Sequence, residues 1–572
     1  MLNLWPVLLG TLSTRQILRV TVGVTATASN KYSTWSSMKR KSAQAEPSIP
    51  STPKRRKIQM ATRKISLTAQ EQRLRDLLLD VARFIDEAKQ LQEKIELRWA
   101  GGWVRDKLLG IPSDDIDTAI NSMTGLAFCE EMKKYVDNPK NIEKHSLEKH
   151  DLGNLHTIQA NPEKSKHLET TTIRILGFDV DFVNLRKETY TQDSRNPQME
   201  FGTAVEDAVR RDATINALFY NLHSDQVEDF CGGLADLEAK TIKTPLEPLT
   251  TFTDDPLRVL RLIRFASRLQ FKIDPVTEAS MSNPAVNDAL KIKISRERVG
   301  VELEKMLKGK HPREALHLID RLGLYSVIFT DPTKDAASSP AVENWKLVYD
   351  CLETLQGNKT PGSIYDTLVR SEDAQFVAWI LAAVTPWSSV PLPEAKPGAK
   401  LLLPYATLVG REGIKVNNKI SDIITAAFRN LDEITALRNA IQKKEPYVSE
   451  RDTLGMMIRR WDWQGKNWRL EVLLAIFVEV LNKAQADYTE IFASWQTFID
   501  HLEGMGLMNA PSIPPKVNGV QLMKALEIKK AGAWMKPALD VCMEWQLRNP
   551  DLEDTDGAIE EVKKRKEELK IP

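Results

Sequence analysis

The most constraining feature of this sequence is residues 97–120, LRWAGGWVRDKLLGIPSDDIDTAI. A β-like run ends at Ala100, Gly101 and Gly102 follow, and apolar residues at helical spacing come next. Glycines at a turn from strand to helix let the backbone approach a phosphate closely, and the start of the helix offers free N–H groups. Arg105, one turn into the helix, is predicted to add a charged contact to the same phosphate.

The strand after that helix carries two carboxylates on one face. In Asp115-Ile116-Asp117 the two-residue period of a strand turns both acids to one side and the isoleucine to the other. Two acids on one face repel each other unless a cation lies between them, and a divalent metal is the usual partner. A glycine pair alone would indicate only a tight turn, but glycines, helix and paired acids together predict a metal-dependent nucleotidyl-transfer site.

A third carboxylate is expected from the alternating strand GFDVDFVNLRKE. It contains Asp179 and Asp181, which are two residues apart and so share a face. Strand alternation therefore does not choose between them.

The hydrophobic pattern divides the chain into a mixed first part and a helical second part. A helix is predicted over 67–88, and helical patterns then alternate with short β-like runs at 95–99, 116–120, 171–176 and 178–185. From residue 254 onward the pattern is almost wholly helical, with breaks rich in Pro, Gly and Ser at 331–340, 385–399 and 509–518. These patterns predict an α+β fold in which a mixed-sheet head is followed by helices.

The formal net charge of +1 hides an uneven distribution along the chain. Residues 1–64 hold twelve basic residues and one acid, so they carry +11 and the remainder carries −10. This composition, rich in Ser, Thr and Arg, is typical of an organelle transit peptide, with a disordered basic tail as the alternative. Met38 and Met60 could serve as internal starts, and Lys54-Arg55-Arg56-Lys57 suits a nuclear-import patch. We therefore expect mitochondrial, cytoplasmic and nuclear forms.

Two other classes of protein are excluded by the sequence. The four cysteines are far apart and match neither a disulfide framework nor a metal-ligand spacing. No stretch approaches the roughly 20 apolar residues that a membrane-spanning helix needs.

Several motifs together resemble one family. Residues 101–117, GGWVRDKLLGIPSDDID, resemble the signature of the class II tRNA nucleotidyltransferases, the CCA-adding enzymes, whose catalytic region is shared with bacterial poly(A) polymerases. Similar motifs follow in the family's order at 206–222 (EDAVRRDATINALFYNL), 229–244 (DFCGGLADLEAKTIKT), 254–269 (DDPLRVLRLIRFASRL) and 295–307 (SRERVGVELEKML). The match beyond Lys310 is looser.

The resemblance assigns catalytic and metal-binding residues. Asp115 and Asp117 would hold Mg²⁺ in a two-metal site. Placing Arg186 on the family's arginine aligns Asp181 with the third catalytic carboxylate, so Asp181 is preferred to Asp179.

The resemblance also implies a nucleotide site on the helix that begins near residue 257. An arginine stripe, Arg258, Arg261, Arg264 and Arg268, would by itself indicate a solvated face or an ion-pair network. In the family this helix selects the base, a role that falls on Asp255 and Arg258, while Arg261 and Arg264 would hold phosphates. The full set of expected nucleotide-binding residues is Gly101, Gly102, Arg105, Arg211, Asp212, Asp255, Arg258, Arg261 and Arg264.

The implied activity is addition of CCA to the 3′ end of tRNA from CTP and ATP without a nucleic-acid template. The implied partner is the acceptor arm of tRNA, with no membrane and no stable protein partner. The segment 187–207 resembles the family's flexible loop at full length, which favours addition of all three nucleotides. The alternatives are a poly(A) polymerase, an enzyme that adds only CC, and a non-catalytic RNA-binding protein built on the same head.

The resemblance gives an expected domain order. It is a targeting or disordered basic segment at 1–62, a nucleotidyltransferase head at 67–245, a helical neck at 250–310, a helical body at 311–430 and a helical tail at 431–572.

Overall fold

The computed structural model describes residues 64–89, 93–148, 150–153, 156–158, 170–191, 194–392, 401–462, 465, 467–484 and 486–572. The predicted transit segment, the internal start methionines and the basic run at 54–57 lie outside the described residues. Within the described part, none of the helices is long and apolar enough to cross a membrane.

The head is built on a seven-stranded mixed sheet with strand order β3-β4-β5-β2-β1-β8-β9. Its central strands β2 and β5 run parallel, and the other neighbours are antiparallel. Two small sheets, β6-β7 and β10-β11, complete the strands. The strands are β1 Leu97–Ala100, β2 Asp115–Ile120, β3 His156–Ile158, β4 Thr170–Ile175, β5 Phe178–Asn184, β6 Arg186–Thr191, β7 Ser194–Phe201, β8 Leu218–Asn221, β9 Gln226–Asp229, β10 Thr241–Ile242 and β11 Lys272–Ile273.

Helices cover the head sheet and make up nearly all of the chain after it. Those of the head are α1 Ala69–Lys89, α2 Gly102–Leu108, α3 Gly125–Val136, α4 Pro139–His145, α5 Ala204–Val209 and α6 Gly233–Glu238. They are followed by α7 Pro248–Asp254, α8 Leu257–Leu269, α9 Pro275–Met281, α10 Pro284–Lys293, α11 Arg296–Leu307, α12 Pro312–Arg321, α13 Tyr325–Ile328, α14 Trp345–Gly357, α15 Ile364–Leu368 and α16 Glu372–Val384. The last are α17 Tyr405–Leu408, α18 Asn418–Lys443, α19 Arg451–Trp461, α20 Trp468–Lys483, α21 Thr489–Gly504, α22 Gly519–Ala525, α23 Met535–Arg548 and α24 Asp556–Lys564.

The two faces of the head sheet differ in character because side chains alternate along each strand. Ile116 and Ile120 of β2 are fully buried in the main core, where α3 places Phe128 with its ring 5.2 Å from that of Phe182 in β5. The opposite face carries Asp115 and Asp117. A separate cluster of mostly small residues lies there, formed by Ala100, Ala119, Leu185, Ala204, Ala208, Ala217 and Phe219.

The structure confirms the predicted elements of the head. The four β-like runs correspond to β1, β2, β4 and β5 within two residues at each end, and the predicted first helix is α1. The segment 187–207 differs from a plain loop, because β6 and β7 pair as an antiparallel hairpin and α5 begins at Ala204 behind a capping box made by Thr203 and Glu206.

The predicted boundary between 311–430 and 431–572 falls inside α18, a 26-residue helix that runs from Asn418 to Lys443 without a break. One apolar core includes residues from Ile65 to Leu547, and a separate C-terminal core gathers residues from Val517 to Ile571, so the two cores overlap in sequence. The domain boundaries stay predictions.

A substitution at Gly125, the first residue of α3, tests how closely this helix packs on the sheet. A Cβ atom there would come within 2.5 Å of the backbone oxygen of Phe182, which cannot rotate away. We expect Gly125→Ala to lower the free energy of unfolding by about 1–3 kcal/mol, the usual cost of overpacking, even though alanine favours helix. Urea unfolding curves measure the change.

The matched control is Gly357→Ala at the end of α14, where an added Cβ meets nothing within 4 Å. The urea concentration at the midpoint of its unfolding should stay the same or rise slightly. Equal midpoints for both variants would contradict the close packing of α3 on β5.

Candidate active site

Asp115 and Asp117 lie where the sequence placed them, on one face of the central strand β2. In the parallel ladder Asp115 is opposite Asp179 and Asp117 is opposite Asp181. Burial and the charges of Asp181 and Asp179 raise the pKa of Asp115. Burial also raises the pKa of Asp117 to about 6, against the opposing effect of Arg211. The four carboxylates therefore form a patch of concentrated negative charge.

Asp179 and Asp181 share the face but have different surroundings. The Asp181 carboxylate accepts a hydrogen bond from the Thr172 hydroxyl at 2.5 Å, and its charge acts on both Asp115 and Asp117. The Asp179 side chain is 61% exposed and lies 3.8 Å from Arg174. Asp181 is thus held at the paired acids, whereas Asp179 lies at the outer edge of the patch.

The donor set fits a hard divalent cation. Among the described residues, no three His, Cys, Asp or Glu side chains are close enough together to hold a metal by themselves. Mg²⁺ is usually bound by one or two carboxylates together with substrate phosphates and water. Asp115 and Asp117, two acids that repel each other and whose pKa values are raised, supply that kind of incomplete oxygen site.

The Gly-Gly turn stands directly beside this pair. β1 ends at Ala100, and Gly101 has a φ of +68°, a conformation that glycine adopts without strain. A Cβ atom on Gly101 would lie 2.8 Å from an Arg211 nitrogen and 3.7 Å from an Asp117 oxygen. The Gly101 amide donates to the Leu218 carbonyl at 3.0 Å, so the free amides of the turn begin at Gly102, where α2 starts without a side-chain cap.

Arg105 is in α2 as predicted, but its guanidinium is buried and already engaged. It donates to Asn216 at 2.5 Å and to Asp106 at 2.8 Å, and it lies 5.7 Å from the centre of the Phe265 ring. Burial lowers the pKa of Arg105. Contact with a phosphate would require this side chain to leave those partners.

In the motif Arg210-Arg211-Asp212 the two arginines share Asp207 as a partner, and each also has a partner of its own. Arg210 pairs with Glu188 at 2.9 Å and also with Asp207, while Arg211 donates to Asp207 at 3.0 Å. Arg211 also donates to the Asn216 carbonyl at 3.0 Å. Of the three, Arg211 is the one that reaches the Gly101 turn.

Asp212 binds the helix that carries the arginine stripe. It accepts a hydrogen bond from Arg261 Nε at 2.5 Å and from Asn216 at 3.3 Å. Burial alone would raise the pKa of Asp212, but Arg261 and Asn216 together lower it to about 2. This ion pair, whose carboxylate is buried, therefore joins the head to α8.

The arginine stripe of α8 is an ion-pair network, as the stripe alone indicated. Arg264 donates to Glu302 of α11 at 2.7 Å, and Arg268 donates to Asp106 of the head at 3.0 Å. Phe265 lies among the guanidinium groups, 4.6 Å from Arg264 and 5.5 Å from Arg261. Such contacts add attraction between the cations and the ring face.

Asp255 and Arg258, the predicted base-selecting pair, flank the start of α8. Asp255 lies between α7 and α8, and its carboxylate is 3.6 Å from Arg298 of α11. Arg258 is buried, with a nitrogen 3.8 Å from Glu188 in β6. The hairpin strand β6 and the helix α8 therefore meet at these side chains.

Sequence patterns did not predict which residues hold these arginines. Their partners, which accept hydrogen bonds or ion pairs from them, are Asp106, Glu188, Asp207, Asn216 and Glu302. All but Glu188 lie within the family motifs quoted above, yet no pattern assigns an arginine to any of them. The one general signal is the need of a buried charge for an opposite charge.

Comparison with known proteins agrees with this arrangement. A family model described as "Poly A polymerase head domain" matches residues 97–243, and one described as "Probable RNA and SrmB- binding site of polymerase A" matches residues 270–336. The mitochondrial CCA tRNA nucleotidyltransferase of Saccharomyces cerevisiae is 36% identical, with 85% of this chain and 91% of the yeast protein covered. The chain belongs to the CCA tRNA nucleotidyltransferase family.

Two further proteins are similar to this chain over most of its length. Nucleotidyltransferase lcsQ of Purpureocillium lilacinum is 49% identical, covering 89% of this chain and 94% of that protein. A solved CCA-adding enzyme, in its apo form II, is 20% identical with a TM-score of 0.58, covering 88% of this chain and all of that one. The mixed-sheet head followed by helices is thus the fold of this nucleotidyltransferase family.

The Asp212–Arg261 pair predicts a pH dependence of stability. The folded-state pKa of Asp212, about 2, is below the ordinary 3.8, so the pair stabilises the fold above pH 4 and the contribution is lost as the pH falls toward 2. We expect Asp212→Asn to cost about 2 kcal/mol at pH 7 and roughly half as much at pH 3. Urea unfolding of wild type and variant from pH 7 to pH 3 measures this.

The control is Asp551→Asn, an exposed residue near the C-terminus that forms no ion pair with any described residue. It should leave the unfolding free energy unchanged at every pH. A cost for Asp212→Asn that stays constant down to pH 3 would contradict the lowered pKa.

Proposed function

We propose that this protein adds C, C and A to the 3′ end of tRNA, without a nucleic-acid template, from CTP and ATP. The observation that carries the proposal is the placement of Asp115 and Asp117 together on one face beside the Gly101 turn. Relatives that align over most of the chain support it, since those of Candida glabrata and Saccharomyces cerevisiae are named CCA tRNA nucleotidyltransferases. Solved CCA-adding enzymes of the same fold hold tRNA, ATP or CTP.

In this proposal Asp115 and Asp117 would hold Mg²⁺ in a two-metal site. The metal would neutralise charge on the phosphates and make the 3′-hydroxyl more acidic. Asp181, fixed by Thr172, assists the attack of that hydroxyl on the α-phosphate, and pyrophosphate leaves. The free amides from Gly102 onward and the nearby Arg211 receive phosphate oxygens.

Base selection falls to Asp255 and Arg258 at the start of α8. A carboxylate and a planar guanidinium offer acceptors and donors that match the edge of a base. Arg258 is held near Glu188, and Asp255 lies near Arg298, so both side chains are oriented by a neighbour. Arg261 and Arg264 are the phosphate contacts in this proposal, with Asp212 as the residue that positions Arg261.

The decisive experiment supplies the purified full chain with Mg²⁺, CTP, ATP and tRNA lacking its CCA end. Wild type should extend the tRNA by three nucleotides on a sequencing gel. Asp115→Asn and Asp117→Asn should each reduce incorporation by about 10³-fold or more, because each removes charge from the metal site. Both variants should still bind tRNA, since neither residue is part of the helical segments.

The matched control is Asp179→Asn on the neighbouring strand, which should keep wild-type activity, whereas Asp181→Asn should not. Extension by two nucleotides would instead indicate a CC-adding enzyme, and a long A tail a poly(A) polymerase. RNA binding without any incorporation, unchanged in the Asp115 and Asp117 variants, would identify a non-catalytic RNA-binding protein.

The same proposal extends to where the protein acts. Relatives in Candida glabrata and Saccharomyces cerevisiae are named mitochondrial, and the basic segment before residue 64 has the composition of a transit peptide. Starts at Met38 or Met60 would give shorter products for the cytoplasm and nucleus.

A fluorescent reporter tests where the N-terminal segment directs a protein. Residues 1–59 fused to it should direct the signal to mitochondria, because the acid-poor basic segment suits import. The same fusion beginning at Met38 should lose the mitochondrial signal. A diffuse signal from the longer fusion would rule out mitochondrial targeting by this segment.

A further inference from the structure

A basic pocket lies between the last turns of α8 and α11. It is formed by Arg264 and Arg268 of α8 and by Lys305, Lys308, Lys310 and His311 at and after the end of α11, around a cavity of about 400 Å³. Lining residues contributed by these two helices and the turn after α11 include no carboxylate. The pocket therefore presents mainly positive charge.

Some of these cations are already neutralised and some are not. Arg264 pairs with Glu302, Arg268 with Asp106, and Lys308 with Glu304. Lys305 and Lys310 are exposed, and neither forms an ion pair with any residue in the described ranges. Two uncompensated ammonium groups thus remain at one opening.

The pocket borders the catalytic head at α2. Arg268, which lines the pocket, donates to Asp106 of α2 at 3.0 Å, and α2 begins at Gly102 of the Gly-Gly turn. Arg264, on the pocket's other wall, belongs to the same helix as Arg261, which binds Asp212 of the head. An anion in the pocket would therefore lie against the head, beside the helix that follows the Gly-Gly turn.

We propose that Lys305 and Lys310 of the basic pocket bind backbone phosphates of the tRNA 3′ strand as its end enters the active site. The proposal rests on the proposed function. A backbone is favoured over a nucleoside triphosphate because both free ammonium groups are exposed at the surface, where a passing strand can contact them. The chain after residue 64 carries −10 overall, so attraction for RNA has to come from such local patches.

The test is the double variant Lys305→Ala/Lys310→Ala in the full-length protein. We expect the KM for tRNA lacking CCA to rise about tenfold, with kcat and the KM values for CTP and ATP unchanged. The slope of log Kd for tRNA against log salt should fall by about 1.4, because two contacts to single-stranded phosphates are lost. Lysines at the end of a helix also interact favourably with its dipole, but loss of that interaction would change neither the salt slope nor the KM for tRNA.

The matched control is Lys133→Ala/Lys140→Ala. Both lysines are exposed, form no ion pair within the described part of the chain, and lie on α3 and α4, with α3 packed on the sheet face opposite the carboxylates. This variant removes the same charge and should keep the wild-type salt slope. Lys305→Arg/Lys310→Arg should restore binding, since it restores the charge.

The outcomes separate this proposal from the function itself. If wild type incorporates no nucleotide, the proposed function fails. If wild type is active and the Lys305/Lys310 variant matches the Lys133/Lys140 control in KM and salt slope, only the phosphate site fails. A rise in the KM for CTP and ATP instead of tRNA would assign the pocket to the triphosphate and overturn the proposal.

Discussion

The arrangement of the site depends on ion pairs that join arginines of α8 to buried carboxylates of its neighbours. A buried charge without a partner costs several kcal/mol, so each of these buried acids is tied to an arginine. Arg261 binds Asp212 and Arg268 binds Asp106, both of the head, while Arg264 binds Glu302 of α11. These pairs fix where α8 lies relative to the head.

Strand β2, in contrast, carries like charges that are close together. Asp115 and Asp117 repel each other and lie near Asp181, so the patch is unfavourable until positive charge arrives. The sheet tolerates it because the other face of β2 is fully buried against apolar residues. The apolar face of β2 stabilises the sheet, and the opposite face carries the carboxylates. Because side chains alternate along a strand, the two sets lie on opposite sides.

Most of the head could be predicted from sequence because its signals are local. The strand period placed Asp115 and Asp117 together, and it could not separate Asp179 from Asp181, since what distinguishes them is the Thr172 hydroxyl on another strand. The partners of the arginines could not be predicted, because Asp106 and Arg268 are 162 residues apart. No glycine or proline marks a break at residue 430, and α18 continues through the boundary predicted there.

The ion pairs also constrain how a nucleotide can reach the arginines assigned to its phosphates. Arg261 and Arg264 are each already bound to a carboxylate. Contact with a triphosphate therefore means exchanging one anion for another, which leaves each guanidinium charge compensated throughout. Because Arg261 is held by Asp212 of the head, such an exchange would loosen the link between the head and α8. Nucleotide binding and the fit of these two parts are then coupled through the same guanidinium group.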